Sequence, residues 1–324
     1  MDAQAEKKRV VFMGTPPFAA AVLDQLALWP KGEIVGVYTQ PDRPSNRGKK
    51  ILPSAVKQRA LQLGLPLFQP QNFKAESDVG TLASLRPDFL LVAAYGLLLP
   101  QSVLSIPVYP PLNVHASLLP QFRGAAPVQR AIMAGEEETG VSIMEMVRAL
   151  DAGSVYLQKS IPIGEHTADS LLEALAVLGG EALLTVLEDL ILGKASAIPQ
   201  DEGKATYAAK LEKEDGMLVF NESAKSVHAR IRAVTSKPSA RCTLYFSGVE
   251  KSFPVQMLPG KIGEISEAPS GSLRIHRGNM EVACCDYWYV LGKVKPQGKD
   301  FIEPKAFVNG YVRDLPEGIC GKVL

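Results

Sequence analysis

An α/β fold in two domains, a parallel sheet with helices followed by a smaller all-β domain, is what the sequence predicts, and three observations carry it. Short apolar runs alternate with helix-period segments over the first two thirds of the chain, the pattern of βαβ units. Beyond about Thr206 this rhythm gives way to short alternating runs with turns about every 8 to 12 residues, the pattern of a small barrel or sandwich. The chain has 324 residues, enough for two cores. The domains expected are 1–206 and 207–324.

The elements follow in order. Val10–Met13 is an apolar run closed by Gly14-Thr15-Pro16-Pro17, and a periodic segment, Phe18–Leu28, comes next: strand, turn, helix. Ile34–Thr39 reads as the second strand, completing a parallel βαβ unit. The turn has one glycine where a dinucleotide fingerprint needs three at G-x-G-x-x-G, which argues against a nicotinamide or flavin cofactor. Gln40–Lys57, QPDRPSNRGKKILPSAVK, interrupts the rhythm with prolines and basic residues, an exposed loop running into a helix from about Ser54 to Leu63. Leu67–Gln69 then reads as a strand, 79–85 as a helix, and Asp88–Gly96 as a strand buried on both faces. Ala125–Ala134 reads as a helix, Val141–Met146 and Val155–Ile163 as strands, and Ala168–Gly193 as a long helix broken at Gly179-Gly180. Past the junction, a helix over Ala224–Val234 precedes short strands at Arg241–Phe246, Phe253–Leu258, Gly271–His276, Glu281–Cys285 and Tyr287–Val294.

Composition sets the class. Hydrophobic residues make up 46% and charged residues 21%, the balance of an ordinary globular protein. The net charge of +1 gives no general reason to expect nucleic acid, but its distribution is uneven. Tyr207–Leu324 holds 17 Lys and Arg against 13 Asp and Glu, and Arg43, Arg47, Lys49, Lys50, Lys57 and Arg59 stand together against Asp42 alone. Such a run is either a solvated surface or a set of phosphate contacts. The four cysteines, Cys242, Cys284, Cys285 and Cys320, have no C-x-x-C spacing, and His166, His228 and His276 lie apart. Reduced thiols, a cytoplasmic setting and no metal are expected. The stretch Phe89–Leu99 is far shorter than the ~20 residues of a membrane helix, and the charged N-terminus does not read as a signal peptide.

The chain is organised around Pro111–Gly124, PLNVHASLLPQFRG. Asn113 and His115 stand two apart in an apolar run, so a strand places both side chains on one face. Pro120 then forces a turn. A carboxamide donor beside an imidazole suits polarisation of a carbonyl and management of protons in its tetrahedral intermediate. A lone N-x-H is equally a turn residue and a hydrogen-bonded core histidine, and the tripeptide alone does not decide.

The wider string NVHASLLPQFRGAAPVQ, followed by ETGVSIMEM and LDAG, resembles the formyltransferase family that uses 10-formyltetrahydrofolate, and within it the branch acting on methionyl-tRNA. The resemblance implies a Rossmann-like parallel-sheet formyltransferase domain followed by an OB-like β-barrel that contributes to tRNA binding. It implies a catalytic trio of Asn113, His115 and Asp151. Tyr95, Leu97 and the turn Ser117, Leu118, Leu119, Pro120 fall to the folate-binding wall, and the Gly14 turn borders the aminoacyl pocket. PDRPxxRGKK resembles the family's insertion loop, making Arg43 a contact to the acceptor stem and Lys49 and Lys50 phosphate contacts. TYAAKLEKEDG resembles the family's domain junction. Ala116 replaces a usual glycine and Gln121-Phe122 a common basic-aromatic pair, departures that bear on the pocket rim.

What the resemblance implies is transfer of a formyl group from 10-formyltetrahydrofolate to the amino group of methionyl-initiator tRNA. Asn113 holds the oxyanion, His115 moves the proton, and Asp151 orients the imidazole and favours its charged form. The protein is expected to act as a monomer with no membrane partner. Formylation of a sugar nucleotide or other small amine, and hydrolysis of formyl-folate, use the same trio and remain alternatives. A tRNA-binding scaffold with a retired site is a reading of another class. Arg232, Lys237, Arg241, Lys293, Lys295 and Lys299 are the basic candidates of the second domain.

Overall fold

The computed structural model describes residues 6–45 and 50–323. Two compact units emerge: Met1–Pro127 with Glu138–Pro162 and Leu172–Ala208, and Val128–Glu137 with Ile163–Leu171 and Ala209–Leu324.

In the first unit, β1 (Lys8–Gly14), α1 (Pro17–Ala27) and β2 (Gly32–Tyr38) form the opening parallel unit. Gly14 ends β1 because a Cβ there would lie 2.6 Å from the Ala19 Cβ and 2.9 Å from the Ala93 carbonyl oxygen, so only hydrogen lets helix and strand approach. The basic segment forms a short hairpin, β3 (Arg43–Ser45) and β4 (Lys50–Leu52), instead of a plain loop. Ser54 then caps α2 (Ala55–Gln62), accepting from the Lys57 amide at 3.0 Å. Next come β5 (Leu67–Phe68), α3 (Glu76–Ser84), β6 (Phe89–Ala93), α4 (Gln101–Leu104), β7 (Leu112–His115), β8 (Arg123–Gly124), α5 (Pro127–Ala134), β9 (Glu138–Glu145), β10 (Val155–Pro162) and α6 (Ala168–Ile191), with α5 from Val128 and the first turn of α6 counting with the second unit. The main sheet has the order β10-β9-β7-β6-β1-β2-β5, and β11 (Tyr207–Ala208) pairs in parallel with β8. Strands β1, β2, β5, β6 and β7 run parallel, and the chain leaves β1 toward β2 on one side and β6 on the other, the switch point where open α/β sheets bind ligands.

Two expectations are corrected here. The sheet expected to be parallel is mixed: strand β9 runs antiparallel to β7, pairing Leu112 with Glu145 and His115 with Ser142, so β7 and β9 end on opposite edges of the sheet. The loop after β9 must instead carry Asp151 back along β7. Helix α6 is also unbroken at Gly179-Gly180. A Cβ at Gly179 would meet Val114 Cγ1 at 2.7 Å, and one at Gly180 would meet Gln25 Cγ at 2.6 Å, so the pair is there for close packing. With 24 residues, α6 is long and apolar enough to cross a membrane by length and composition. Its Leu175, Ala176, Ala182 and Leu187 are fully buried, however, as in a core helix.

The second unit is built on an antiparallel sheet ordered β14-β17-β16-β15-β19-β12-β13-β18, curled as an incomplete barrel. Its elements are α7 (Ala224–Ala233), β12 (Arg241–Phe246), β13 (Phe253–Met257), β14 (Lys261–Ile265), β15 (Ser272–His276), β16 (Asn279–Ala283), β17 (Tyr287–Val290), β18 (Val294–Pro296), α8 (Pro304–Tyr311) and β19 (Gly318–Val323). Alternate residues of β12 and β13 are buried, and Phe246, Phe253, Phe307 and Tyr311 form an aromatic cluster.

Candidate active site

Strand β7 lies inside the sheet between β6 and β9. Val114 faces α6 through Gly179, so the period of two turns Asn113 and His115 to the other face, roughly 6.6 Å apart along the strand. His115 is buried, and its Nε2 donates to the Phe122 carbonyl at 3.0 Å. A carbonyl only accepts, which places the hydrogen of the neutral ring on Nε2 and the lone pair on Nδ1. Nδ1 stands 3.7 Å from Asp151 Oδ2. That same carboxylate oxygen accepts the Gly124 N–H at 2.8 Å. The structure therefore brings His115 and Asp151 together, with Asn113 one strand period away.

Asp151 sits in the β9–β10 loop with φ at 48°, a left-handed conformation uncommon outside glycine. Its carbonyl and that of Gly153 accept from Gln200. Gly153 is required there, because a Cβ would fall 1.9 Å from the Glu145 carbonyl oxygen.

The turn after β7 is fixed by side chains. Ser117 is buried; its Oγ donates to the Gln121 carbonyl at 2.6 Å. Ser142, in β9, donates to the Ser117 carbonyl at 2.6 Å and accepts from the Leu119 amide at 3.0 Å and from Gln158 Nε2 at 2.8 Å. Leu118, Leu119, Pro120 and Gln121 line one wall of a surface cavity of about 430 Å³, whose other wall is Gly203–Thr206.

Tyr95 follows β6, and its carbonyl accepts from Thr15 Oγ1 at 2.9 Å and Gln40 Nε2 at 3.0 Å. Its ring is buried in an apolar cluster with Met13, Tyr38 and Val92, against which the partly buried Leu97, Leu99, Ile106 and Met146 pack. The hydroxyls of Tyr38 and Tyr95 have no hydrogen-bond partner among the described residues, and burial raises both phenol pKa values above the ordinary range.

Of the basic loop, Lys49 lies outside the described residues, as do the side chains of Arg43 and Lys50. The base of the loop is pinned. Asp42 accepts from Lys57 Nζ at 2.6 Å and Gln69 Nε2 at 2.9 Å, bonds that hold its carboxyl below the usual range. Lys57 is thus a strut of the loop. In the second unit, Arg232 donates to the carbonyls of Gly164 and His166, Arg241 to that of Lys213 at 2.6 Å, and Lys293 pairs with Glu303 at 3.4 Å. His228 is the centre of a chain, bonded to Tyr289 Oη at 2.9 Å and Glu165 Oε2 at 2.8 Å.

Sequence reasoning missed Gln200, Arg123, Ser142 and Gln158. Ser142 stands as a buried polar residue between Val141 and Ile143 of β9, a readable signal, whereas Gln158 is followed in β10 by Lys159 and Ser160 and does not stand out. Gln200 lies in a segment without periodicity and gives none.

Two family models match the chain: formyl transferase over residues 7–187 and formyl transferase C-terminal domain over 210–312. Methionyl-tRNA formyltransferase from Desulfovibrio desulfuricans is 50% identical, with 99% of this chain and 97% of the relative aligned. That from Acidithiobacillus ferrooxidans is 42% identical over 94% of this chain and 96% of the relative. Among solved structures, an N-formyltransferase from Helicobacter canadensis, in complex with folinic acid and dTDP-3-aminofucose, superposes with a TM-score of 0.65 at 14% identity, covering 89% of this chain and 100% of that one. HypX from Aquifex aeolicus, in complex with tetrahydrofolic acid, gives 0.61 at 17% identity over 97% of this chain and 49% of that one. At such identities these two speak to the fold alone.

Proposed function

The chain belongs to the methionyl-tRNA formyltransferase family, enzymes that formylate the methionine of initiator tRNA, and we propose that Asn113, His115 and Asp151 carry that transfer in it with 10-formyltetrahydrofolate as donor. The observation that carries the assignment of residues is the meeting of His115 Nδ1 and Asp151 Oδ2 at 3.7 Å on the face of β7 that also bears Asn113.

The nucleophile belongs to the substrate. As the amine lone pair bonds to the formyl carbon, the carbonyl π pair moves to oxygen, and Asn113 donates its amide hydrogen to that oxyanion. His115 keeps its Nε2 hydrogen on Phe122, so Nδ1 takes the proton released by the amine. Asp151 faces Nδ1 and supplies the counter-charge while the ring is an imidazolium. The oxyanion pair then re-forms the carbonyl bond as the carbon–nitrogen bond to the folate breaks; that bond's electron pair goes to the folate nitrogen, and His115 returns the proton there. Formyl-methionyl-tRNA and tetrahydrofolate result.

The partly buried Leu97, Leu99, Ile106 and Met146 leave apolar surface uncovered beside Tyr95, which suits a flat pteridine ring; Ser117–Pro120 are assigned to the folate on the resemblance, and Leu118–Pro120 line a cavity whose other wall is Gly203–Thr206. Arg43, Lys49 and Lys50 are proposed to grip the tRNA acceptor end, with 1–206 as the catalytic part and 207–324 as the part that holds the tRNA body. Action as a monomer in the cytoplasm, where charged tRNA and reduced folate are found, belongs to the same proposal.

The test combines purified protein, labelled formyl donor and charged initiator tRNA, and follows formyl-methionyl-tRNA. Asn113→Ala should lower kcat by roughly 100- to 1,000-fold, the loss typical of one oxyanion donor. Near wild-type turnover would remove Asn113 from the reaction. Excising residues 48–50 should abolish transfer to tRNA while leaving folate binding, measured by fluorescence titration, intact.

A further inference from the structure

The loop that bears Asp151 is held by a side chain outside the trio. Gln200 Nε2 donates both of its hydrogens, to the carbonyl of Asp151 at 2.8 Å and to that of Gly153 at 2.7 Å. Its Oε1 accepts from Arg123 Nε at 3.1 Å and Nη2 at 2.9 Å. The orientation of the carboxamide is thereby decided, because reversing it would set oxygen against two carbonyls and an amide donor against a guanidinium.

Arg123 is itself fully buried, and its other donors go to Glu202, Nη1 to Oε2 at 2.9 Å and Nη2 to Oε1 at 2.7 Å. The next residue along, Gly124, donates its amide to the Asp151 carboxylate at 2.8 Å. Asp151 is therefore gripped at both ends by one short segment: at its carbonyl through Gln200, and at its carboxylate through the Arg123–Gly124 strand. Its φ of 48° needs such holding, since a left-handed aspartate persists only where its surroundings over-determine it.

We infer that Gln200, aimed by Arg123, is a positioning residue for formyl transfer: its amide hydrogens lock the Asp151–Gly153 backbone so that the carboxylate stays beside His115 Nδ1. This rests on the role proposed above for Asp151.

Gln200→Glu keeps the size of the side chain and an oxygen toward Arg123, and at about pH 8 it is ionised and has no hydrogen to donate. Gln200→Leu removes both halves of the amide. The expected result for each is a kcat lowered about 10- to 100-fold, the effect of a misplaced reacting group, with KM for tRNA and for the folate within about threefold of wild type. A merely structural anchor would lower the urea midpoint and leave kcat of the folded fraction unchanged. Wild-type kcat in Gln200→Glu overturns the inference, and so does a loss that falls wholly on KM. Should Gln200→Leu fail to fold, Gln200→Glu decides alone. Asp151→Asn run in parallel separates the two readings. If it is slow while Gln200→Glu is not, only the role of Gln200 falls; if Asp151→Asn itself turns over normally, the role of Asp151 falls first.

Discussion

Replacing Asp151 by asparagine removes one charge and almost nothing else. The amide oxygen is able to keep the bond from Gly124, now 2.8 Å from a carboxylate oxygen, and the loop conformation has no need of the charge. What disappears is the attraction between a carboxylate and the imidazolium formed when His115 takes up the proton. At 3.7 Å, with the effective dielectric constant of about 20 that suits protein sites, two unit charges attract by about 4.5 kcal/mol. The substrate-bound ground state, before the proton is taken up, feels little of this, so the loss belongs to the transition state and amounts to roughly 2,000-fold at most. We expect kcat to fall about 100- to 1,000-fold with KM nearly unchanged, since the neutral bond to Gly124 remains. The assay is single-turnover formyl transfer at saturating donor and tRNA, with the thermal midpoint measured alongside. A rate within about fivefold of wild type in a folded protein would refute the claim that Asp151 stabilises a charged His115.

Three further outcomes follow from the same structure. Gly153→Ala sets a Cβ 1.9 Å from the Glu145 carbonyl oxygen, so the loop must move; a stability loss of about 1–3 kcal/mol in urea and a clear drop in kcat are expected, and no change in either would mean the backbone accommodates the methyl freely. Asp42, Asp215 and Glu188 titrate below their usual range because of Lys57 and Gln69, Arg130, and Lys31 and Trp29 respectively. Depressed carboxylates stabilise the fold above the unfolded pKa of about 4 and lose that contribution as pH falls through the folded values, so the urea midpoint should drop between about pH 6 and pH 3; a flat profile would contradict these pairings. Burial pushes the Cys242 and Cys284 thiols up to about 12 and raises Cys320, whereas Cys285 is exposed; a disulfide reagent should titrate one thiol in the native protein and four after unfolding, and two or more rapid native thiols would contradict the packing of the barrel.

The parts of the fold that the sequence made legible are those with a strong local period. The apolar run of β1 closed by Gly14 and the polar pair Asn113 and His115 inside β7 are both readable because a strand alternates its faces. Strand direction is not written in a run such as VSIME, which packs equally well parallel or antiparallel; the antiparallel setting of β9 is decided by its pairing with β7 and β10. Strands β14, KIGEI, and β19, GICGKV, carry glycine and charge where strand formers are expected, and they exist because β17 on one side and β12 and β15 on the other supply their hydrogen bonds. Gln200 was invisible for a related reason. Its importance comes from two carbonyls 47 and 49 residues away in the chain, a relation with no local period.

The hydrogen at Gly179 where other residues carry a side chain has a reach beyond helix packing. Val114 lies against it, on the reverse of the strand whose obverse presents Asn113 and His115. A methyl group at 179 would need the space held by Val114 Cγ1, 2.7 Å off, so helix and strand would have to part. On the proposed roles of those two residues, the close approach of α6 to the back of β7 fixes how far forward they stand, and a change there would be felt as chemistry by a substrate that never touches it.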